Sequence, residues 1–276
     1  MNIPKAIIPV AGYGTRRLPI TKAIEKCMLP IGNRPIVDYV VQDCLLAGIR
    51  EIYFVVGEDS NQLVTYYGRN VWLEQYLEAK GDNENLRGIA PLDDVKFHFV
   101  TQPQNRKYGT SVPVALAAEV TGFDEPVVVL MGDDFIYNRD GISEVANLLT
   151  DLNEDESAML GVRVSQNELN RYGVIQADEN NKFVRIVEKP DPELAPSNLI
   201  NVSKYVLSPD LLRRVYEHIS QPISGREYMI TDPINDFVKG GGVMRVVPAG
   251  GEYLDGGTLE GWLHANDIVG KDLLRR

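Results

Sequence analysis

The chain has 276 residues, 44% of them hydrophobic, so it is long and apolar enough to bury a large α/β core. Its formal net charge of −11 argues against nucleic acid or an anionic membrane as a general partner. No apolar run approaches a membrane span and no positive-then-apolar signal segment opens the chain, so a cytoplasmic protein is expected. The two cysteines, Cys27 and Cys44, make neither a disulfide framework nor a metal spacing.

In chain order, Lys5–Val10 is a short apolar strand ending in a glycine-rich loop. Pro35–Ala47 carries Ile36, Val40, Val41, Cys44 and Leu45 at helical spacing, with proline near its start and Gly48 just past its end. Glu51–Val56 reads as the next strand and Asn61–Lys80 as one helix bearing Tyr66, Trp72 and Leu73. A strand at Val95–Val100, a helix at Thr110–Val120 and a wholly apolar strand at Pro126–Met131 follow. Strands alternating with helices predict parallel crossovers and a three-layer α/β/α fold, with a mostly parallel, Rossmann-like sheet covered on both faces. Beyond this point the pattern is less regular and the sheet is expected to be mixed. Ser157–Arg163, Gly173–Ala177, Lys182–Glu188, Leu199–Leu207 and Val243–Val247 read as strands; Pro209–His218, Thr231–Lys239 and Leu259–Leu274 read as helices. With no repeat and no clear break, residues 1–276 are read as one domain, with a nucleotide-binding half to about 135 and a second half from about 136.

An acidic protein that binds a phosphate must concentrate positive charge locally, and the first thirty residues do so. Arg16, Arg17, Lys22 and Lys26 lie between Gly12 and Pro30 with Glu25 as the one acid. Gly12-Tyr13-Gly14-Thr15-Arg16-Arg17-Leu18-Pro19 directly follows the first strand, where glycines let backbone N–H groups converge on an anion. A Gly-x-Gly alone is more often a tight turn. A dinucleotide fingerprint would want a small residue at Arg17 and no Pro19, and a Walker loop would want Gly-Lys-Ser/Thr. Met131-Gly132-Asp133-Asp134 places two carboxylates at the carboxyl end of a buried strand, where ligands bind in open α/β sheets; each also fits a turn aspartate. The histidines (His98, His218, His264) are scattered and lack the context of a catalytic triad.

With Thr21, Lys22, Lys26 and Pro30 the loop completes the pattern Gly-x-Gly-Thr-Arg-x-x-Pro-x-Thr-x4-Lys-x3-Pro, which resembles the signature of the sugar-1-phosphate nucleotidyltransferases. Lys22-Ala23-Ile24 and Lys26-Cys27-Met28-Leu29-Pro30 look most like the bacterial UTP–glucose-1-phosphate uridylyltransferases. The resemblance continues in order through Gln102, Asp133, Tyr172-Gly173, Glu188-Lys189-Pro190, Ala195–Leu199, Ile230-Thr231-Asp232 and Asp255.

That resemblance implies a nucleotidyltransferase-type fold, a homo-oligomer, and the substrates UTP and glucose 1-phosphate. Arg16 would neutralise the β- and γ-phosphates, Lys26 the α-phosphate, and Lys189 the sugar phosphate, with Glu188, Gly173 and Val202 around the sugar. Ala11, Gly12, Gly14, Thr15, Gln102 and Gly109 would hold the nucleotide. Asp133 and Asp255 would share one Mg²⁺ with the triphosphate, and Asp134 would stand behind them. The chemistry suits such a set, because a sugar phosphate is already an ionised nucleophile and needs positioning and charge cancellation rather than a base. Lys107 stands where the uridylyl and thymidylyl enzymes usually carry glycine, Cys27 where the uridylyltransferases usually have glutamate, and Ser203 at a glycine-like position. Another nucleotide (dTTP or GTP), another sugar phosphate, or a non-catalytic nucleotide-sugar-binding regulator are the open alternatives.

Overall fold

The computed structural model describes residues 5–103, 107–222 and 227–275. The first half contributes β1 (Lys5–Pro9), a hairpin of β2 (Pro30–Ile31) and β3 (Arg34–Pro35), α1 (Ile36–Leu46), β4 (Glu51–Val56), α2 (Gln62–Tyr67), α3 (Val71–Lys80), α4 (Asn83–Gly88), β5 (Lys96–Thr101), α5 (Ser111–Thr121) and β6 (Val127–Leu130). The second half adds β7 (Asp134–Tyr137), α6 (Glu144–Leu149), β8 (Ser157–Arg163), β9 (Gly173–Ala177), β10 (Phe183–Glu188), β11 (Leu199–Leu207), α7 (Pro209–Ser220), α8 (Thr231–Lys239), β12 (Met244–Pro248), β13 (Glu252–Asp255) and α9 (Leu259–Leu273). Three short 3-10 turns, Thr15–Arg17, Ile20–Lys22 and Lys26–Met28, carry the chain from β1 to β2.

The central sheet runs β10-β9-β11-β6-β1-β4-β5, with β8 paired to β11 and β12 to β8. β6, β1, β4 and β5 are mutually parallel, and β11 joins β6 antiparallel, so the sheet is mixed at the seam between the halves. Alternation along β1 divides the core. Ala6 and Ile8 pack on one face with Val37, Val40, Val41 and Cys44 of α1 and Ala265 and Val269 of α9. Ile7 packs on the other with Val114, Ala117 and Ala118 of α5 and Leu211, Leu212 and Val215 of α7. Both faces of these strands are covered, which is why they read as unbroken apolar runs. Helix α1 ends as its sequence dictates: Gly48 adopts φ 85° and Ile49 N–H reaches back to Cys44 O at 3.0 Å.

The expected single helix over 61–80 is two. Gly68 closes α2 with its N–H on Val64 O, and the Asn70 side chain accepts from Leu73 N–H at 3.1 Å to start α3. Trp72, Tyr66 and Leu73 consequently lie on exposed faces, and α3 buries Leu77. α4, α6, β2, β3, β7 and β13 lie outside the elements expected from the sequence. β7 and β13 pair antiparallel away from the main sheet, with Asp134 opposite Asp255.

Candidate active site

The carboxyl ends of β1, β6, β4 and β5 open onto one cleft. Gly14 begins the Thr15–Arg17 turn at φ 63°, with Arg17 N–H on its carbonyl at 2.8 Å and the Thr21 hydroxyl on the same oxygen at 2.9 Å. A Cβ there would sit 3.0 Å from both Lys26 Cβ and Thr21 Cγ2, so glycine is required by conformation and by close packing. At Gly12 a Cβ would meet no atom, and the backbone there faces the open cleft.

One lobe of the cleft, about 620 Å³, is lined by Ala11, Gly12, Gly14, Thr15, Arg16, Lys26, Gln102, Gly109 and Asp133. This volume lies in the range of small-molecule sites. A second lobe of about 550 Å³ shares Gly12, Lys26 and Gln102 and extends between Thr21–Glu25 and Gly57–Gln62. Tyr13 and Tyr108, both well exposed, line both lobes. Gly109 lies against a second strand-like segment. Tyr228 N–H donates to Tyr108 O and Ser111 N–H to Tyr228 O, each at 2.8 Å, and a Cβ on Gly109 would come 2.4 Å from Tyr228 N. The N-terminus of α5 offers little to an anion, because Ser111 and Val112 N–H are already bonded and Pro113 has none. Arg16 and Lys26 bring positive charge to the lobe beside the glycine loop. Arg17 turns away and stacks over Trp262 at 4.9 Å, tying the loop to α9.

Lys26 makes an ion pair with Asp133, whose side chain is about a third exposed to the cleft. Burial would raise the Asp133 pKa, but Lys26, joined by Lys204 and Arg16, outweighs it and holds the carboxyl below its usual range. Asp255 arrives from β13: Gly256 N–H bonds Asp133 O at 3.1 Å, and a Cβ on Gly257 would lie 3.1 Å from Lys26 Nζ and 2.8 Å from Asp255 Oδ1. Lys26 and Asp255 thus both approach the Gly257 backbone, while the ion pair of Lys26 is with Asp133. Asp255 is oriented by Gly257 N–H at 2.6 Å and the Thr258 hydroxyl at 3.2 Å.

Among the described residues no group of three or more acidic, histidine or cysteine side chains is arranged to hold a metal ion. Asp133, in the turn before β7, and Asp255, on β13, nevertheless offer hard oxygens that would fit Mg²⁺, which is usually held by one or two carboxylates with substrate phosphates and water completing the shell.

Asp134, beside Asp133, is held by Lys204 and Tyr253. Burial pushes its pKa up to about 6, against the opposing pull of Lys204. A lysine in the middle of an apolar strand was the available sign of such a pair, since lysine is almost never fully buried without a partner. Cys27 also lines the cleft, and burial keeps its thiol protonated by raising its pKa.

Gly173, Glu188, Lys189 and Val202 lie outside the lining of both lobes. Gly173 pairs with Glu188 across β9 and β10, and a Cβ on it would sit 2.9 Å from Glu188 Oε2. Lys189 takes φ 44° with its N–H on Tyr172 O at 3.0 Å, and its side chain is exposed. Val202 is in the core with 3% exposure, which leaves only its backbone for a ligand. The Tyr172 phenol is raised first by burial, against Arg171, and also by the charges of Asp255 and Asp134.

The family profile described as Nucleotidyl transferase matches residues 5–272. A UTP–glucose-1-phosphate uridylyltransferase of Pseudomonas aeruginosa is 34% identical over 96% of this chain and 95% of its own. A UTP-bound UGPase of Acinetobacter baumannii superposes with a TM-score of 0.88 at 28% identity, covering 98% of this chain and 94% of the other. A UDP-glucose pyrophosphorylase complexed with UDP-glucose superposes at 0.82 and 30% identity over 98% of this chain and all of its own. The chain belongs to the nucleotidyl transferase family, with UTP–glucose-1-phosphate uridylyltransferases among its relatives.

Proposed function

We propose that the protein is a UTP–glucose-1-phosphate uridylyltransferase that forms UDP-glucose and pyrophosphate. The observation that carries this reading is the convergence of Arg16, Lys26 and Asp133 on a glycine-lined cleft, with Asp255 outside its lining but joined to Asp133 through the Gly256 N–H. A glucose 1-phosphate oxygen attacks the α-phosphorus of UTP in line. The bond from that phosphorus to the α,β-bridging oxygen breaks, and pyrophosphate leaves with the electron pair. No proton has to be removed from the nucleophile, so the site needs charge placement more than a base.

Lys26 is paired with Asp133. An arriving triphosphate offers Lys26 a phosphate oxygen in exchange, freeing Asp133 to act with Asp255 as a cation ligand. Arg16 faces the β- and γ-phosphates and steadies the departing pyrophosphate. Mg²⁺ bound by the two aspartates would supply charge neutralisation between two polyanions. Lys189 would hold the sugar phosphate and Glu188 would accept from sugar hydroxyls. The same reading takes residues 1–276 as one domain, supported by a sheet in which β11 of the second half joins β6 of the first. It also takes the enzyme as a cytoplasmic homo-oligomer. Among the described residues no helix is long and apolar enough to cross a membrane.

Pyrophosphate release from UTP with glucose 1-phosphate and Mg²⁺, beside a panel of other triphosphates and sugar phosphates, tests the assignment; silence across the whole panel would refute it. Lys189→Ala is expected to weaken glucose 1-phosphate binding and leave UTP binding intact. A charge-assisted contact is worth about 1.5–3 kcal/mol, so the expected loss is roughly 10- to 150-fold. Separate titration of each substrate checks this, and lost affinity for UTP instead would exchange the roles of Lys189 and Lys26.

A further inference from the structure

Behind Asp133 and Asp255 lies a buried charge that the phosphoryl chemistry does not use. Lys204 is 2% exposed, is followed in β11 by fully buried Tyr205, Val206 and Leu207, and lines neither lobe of the cleft. The strand is bent to deliver it. Ser203 takes φ 52°, the β11–β8 register shifts between Asn201 and Tyr205, and the Asn201 side chain accepts Ser203 N–H at 3.0 Å. A non-glycine residue in the left-handed region costs energy and persists only where its surroundings enforce it.

Lys204 Nζ lies 2.5 Å from Asp134 Oδ1 and 3.2 Å from the Asp134 carbonyl oxygen. The Tyr253 hydroxyl donates to Asp134 Oδ2 at 2.9 Å. Asp134 is therefore gripped by β11 from one side and β13 from the other. Its chain neighbour is Asp133, and its partner across the β7–β13 ladder is Asp255, two residues beyond Tyr253.

We propose that Lys204, with Tyr253, is a positioning residue for the divalent-cation site: through Asp134 it fixes the spacing of the Asp133 and Asp255 carboxylates. This rests on reading those two aspartates as cation ligands. A merely structural pair behaves differently, because a buried ion pair replaced as a whole by neutral groups is often no loss to stability. Partners behind metal ligands, by contrast, typically govern affinity by about 10- to 100-fold.

The test compares wild type with the double variant Lys204→Met/Asp134→Asn, which removes both charges together, and with Tyr253→Phe, which removes one hydroxyl. Mn²⁺ affinity is read by electron paramagnetic resonance with saturating UTP and no sugar phosphate, so nothing turns over. Thermal unfolding is followed in parallel. The expected result is Mn²⁺ binding weakened about 10- to 100-fold in the double variant and about 10-fold in Tyr253→Phe, with midpoints of unfolding close to wild type. Should the double variant fail to fold, Tyr253→Phe decides alone. Mn²⁺ affinities within twofold of wild type overturn the positioning role and leave the cation site standing. A wild-type protein that binds no Mn²⁺ overturns both.

Discussion

Asp133→Asn is expected to lower kcat by roughly 10³-fold or more, about 4 kcal/mol of transition-state stabilisation. The amide keeps the size of the side chain and its place after β6, but it removes the charge that Lys26 is paired with and that a cation would need. Asp133→Ala should be no less damaging, and Asp255→Asn should follow it closely, since the Gly256 N–H ties the two segments together at Asp133 O. UTP affinity should fall far less than turnover, because the glycine loop, Arg16 and Gln102 remain. The measurement is pyrophosphate release against Mg²⁺ concentration for wild type and both variants. Undiminished turnover in a chelator, or in either Asn variant, would remove the carboxylates from the mechanism.

Base choice carries the other large expected effect. Gln102 stands at the end of β5, anchored by its N–H on Val56 O at 2.8 Å, and its side chain borders both lobes of the cleft. An amide presents one donor and one acceptor, matching the N3–H and O4 edge of uracil. Cytosine reverses both. A polar edge left mismatched in a closed site costs about 10⁴-fold, whereas an added methyl costs only about 10- to 200-fold. The expected order of kcat/KM is therefore UTP, then dTTP, then CTP at a negligible level, with glucose 1-phosphate held fixed. Gln102→Ala should erode the preference for UTP over CTP. A preference for GTP would overturn the uridylyl assignment, and an unchanged preference in Gln102→Ala would move base reading to the backbone.

Much of this was legible in the amino acids because its signals are local. The apolar runs of β1, β4 and β6 and the spaced apolar residues of α1 are periodic features, and they set the parallel half of the sheet. The glycine loop with Arg16 and Lys26 is contiguous, and the structure gathers it with Gln102, Gly109 and Asp133 around one cleft. What escaped depends on pairing between distant segments. Glu252–Asp255 is four residues long and acquires strand character only by lying against Asp134–Tyr137. Gly68 and Asn70 divide a helix whose periodicity alone looked continuous. The left-handed backbone at Lys189 and Ser203 leaves no mark in composition, since neither residue is the glycine that usually announces it.

The β7–β13 ladder also sets an order of events while the chain is being made. Tyr253 and Asp134 are 119 positions apart, so a nascent chain carries Asp134 long before its partners on β13 exist. Until the last strand emerges, β7 presents an unpaired edge and Asp134 has only Lys204 to neutralise it. Contacts of this range are among the slowest to close, because loop entropy is lost before any pairing compensates it. The parallel strands can pair early, while the glycine loop, anchored through Arg17 on Trp262, and the β7–β13 ladder both wait for the final segment to dock. A ribosome-tethered intermediate lacking that segment would hold the parallel sheet without the α9 anchor of its glycine loop and without Asp134 paired to Asp255.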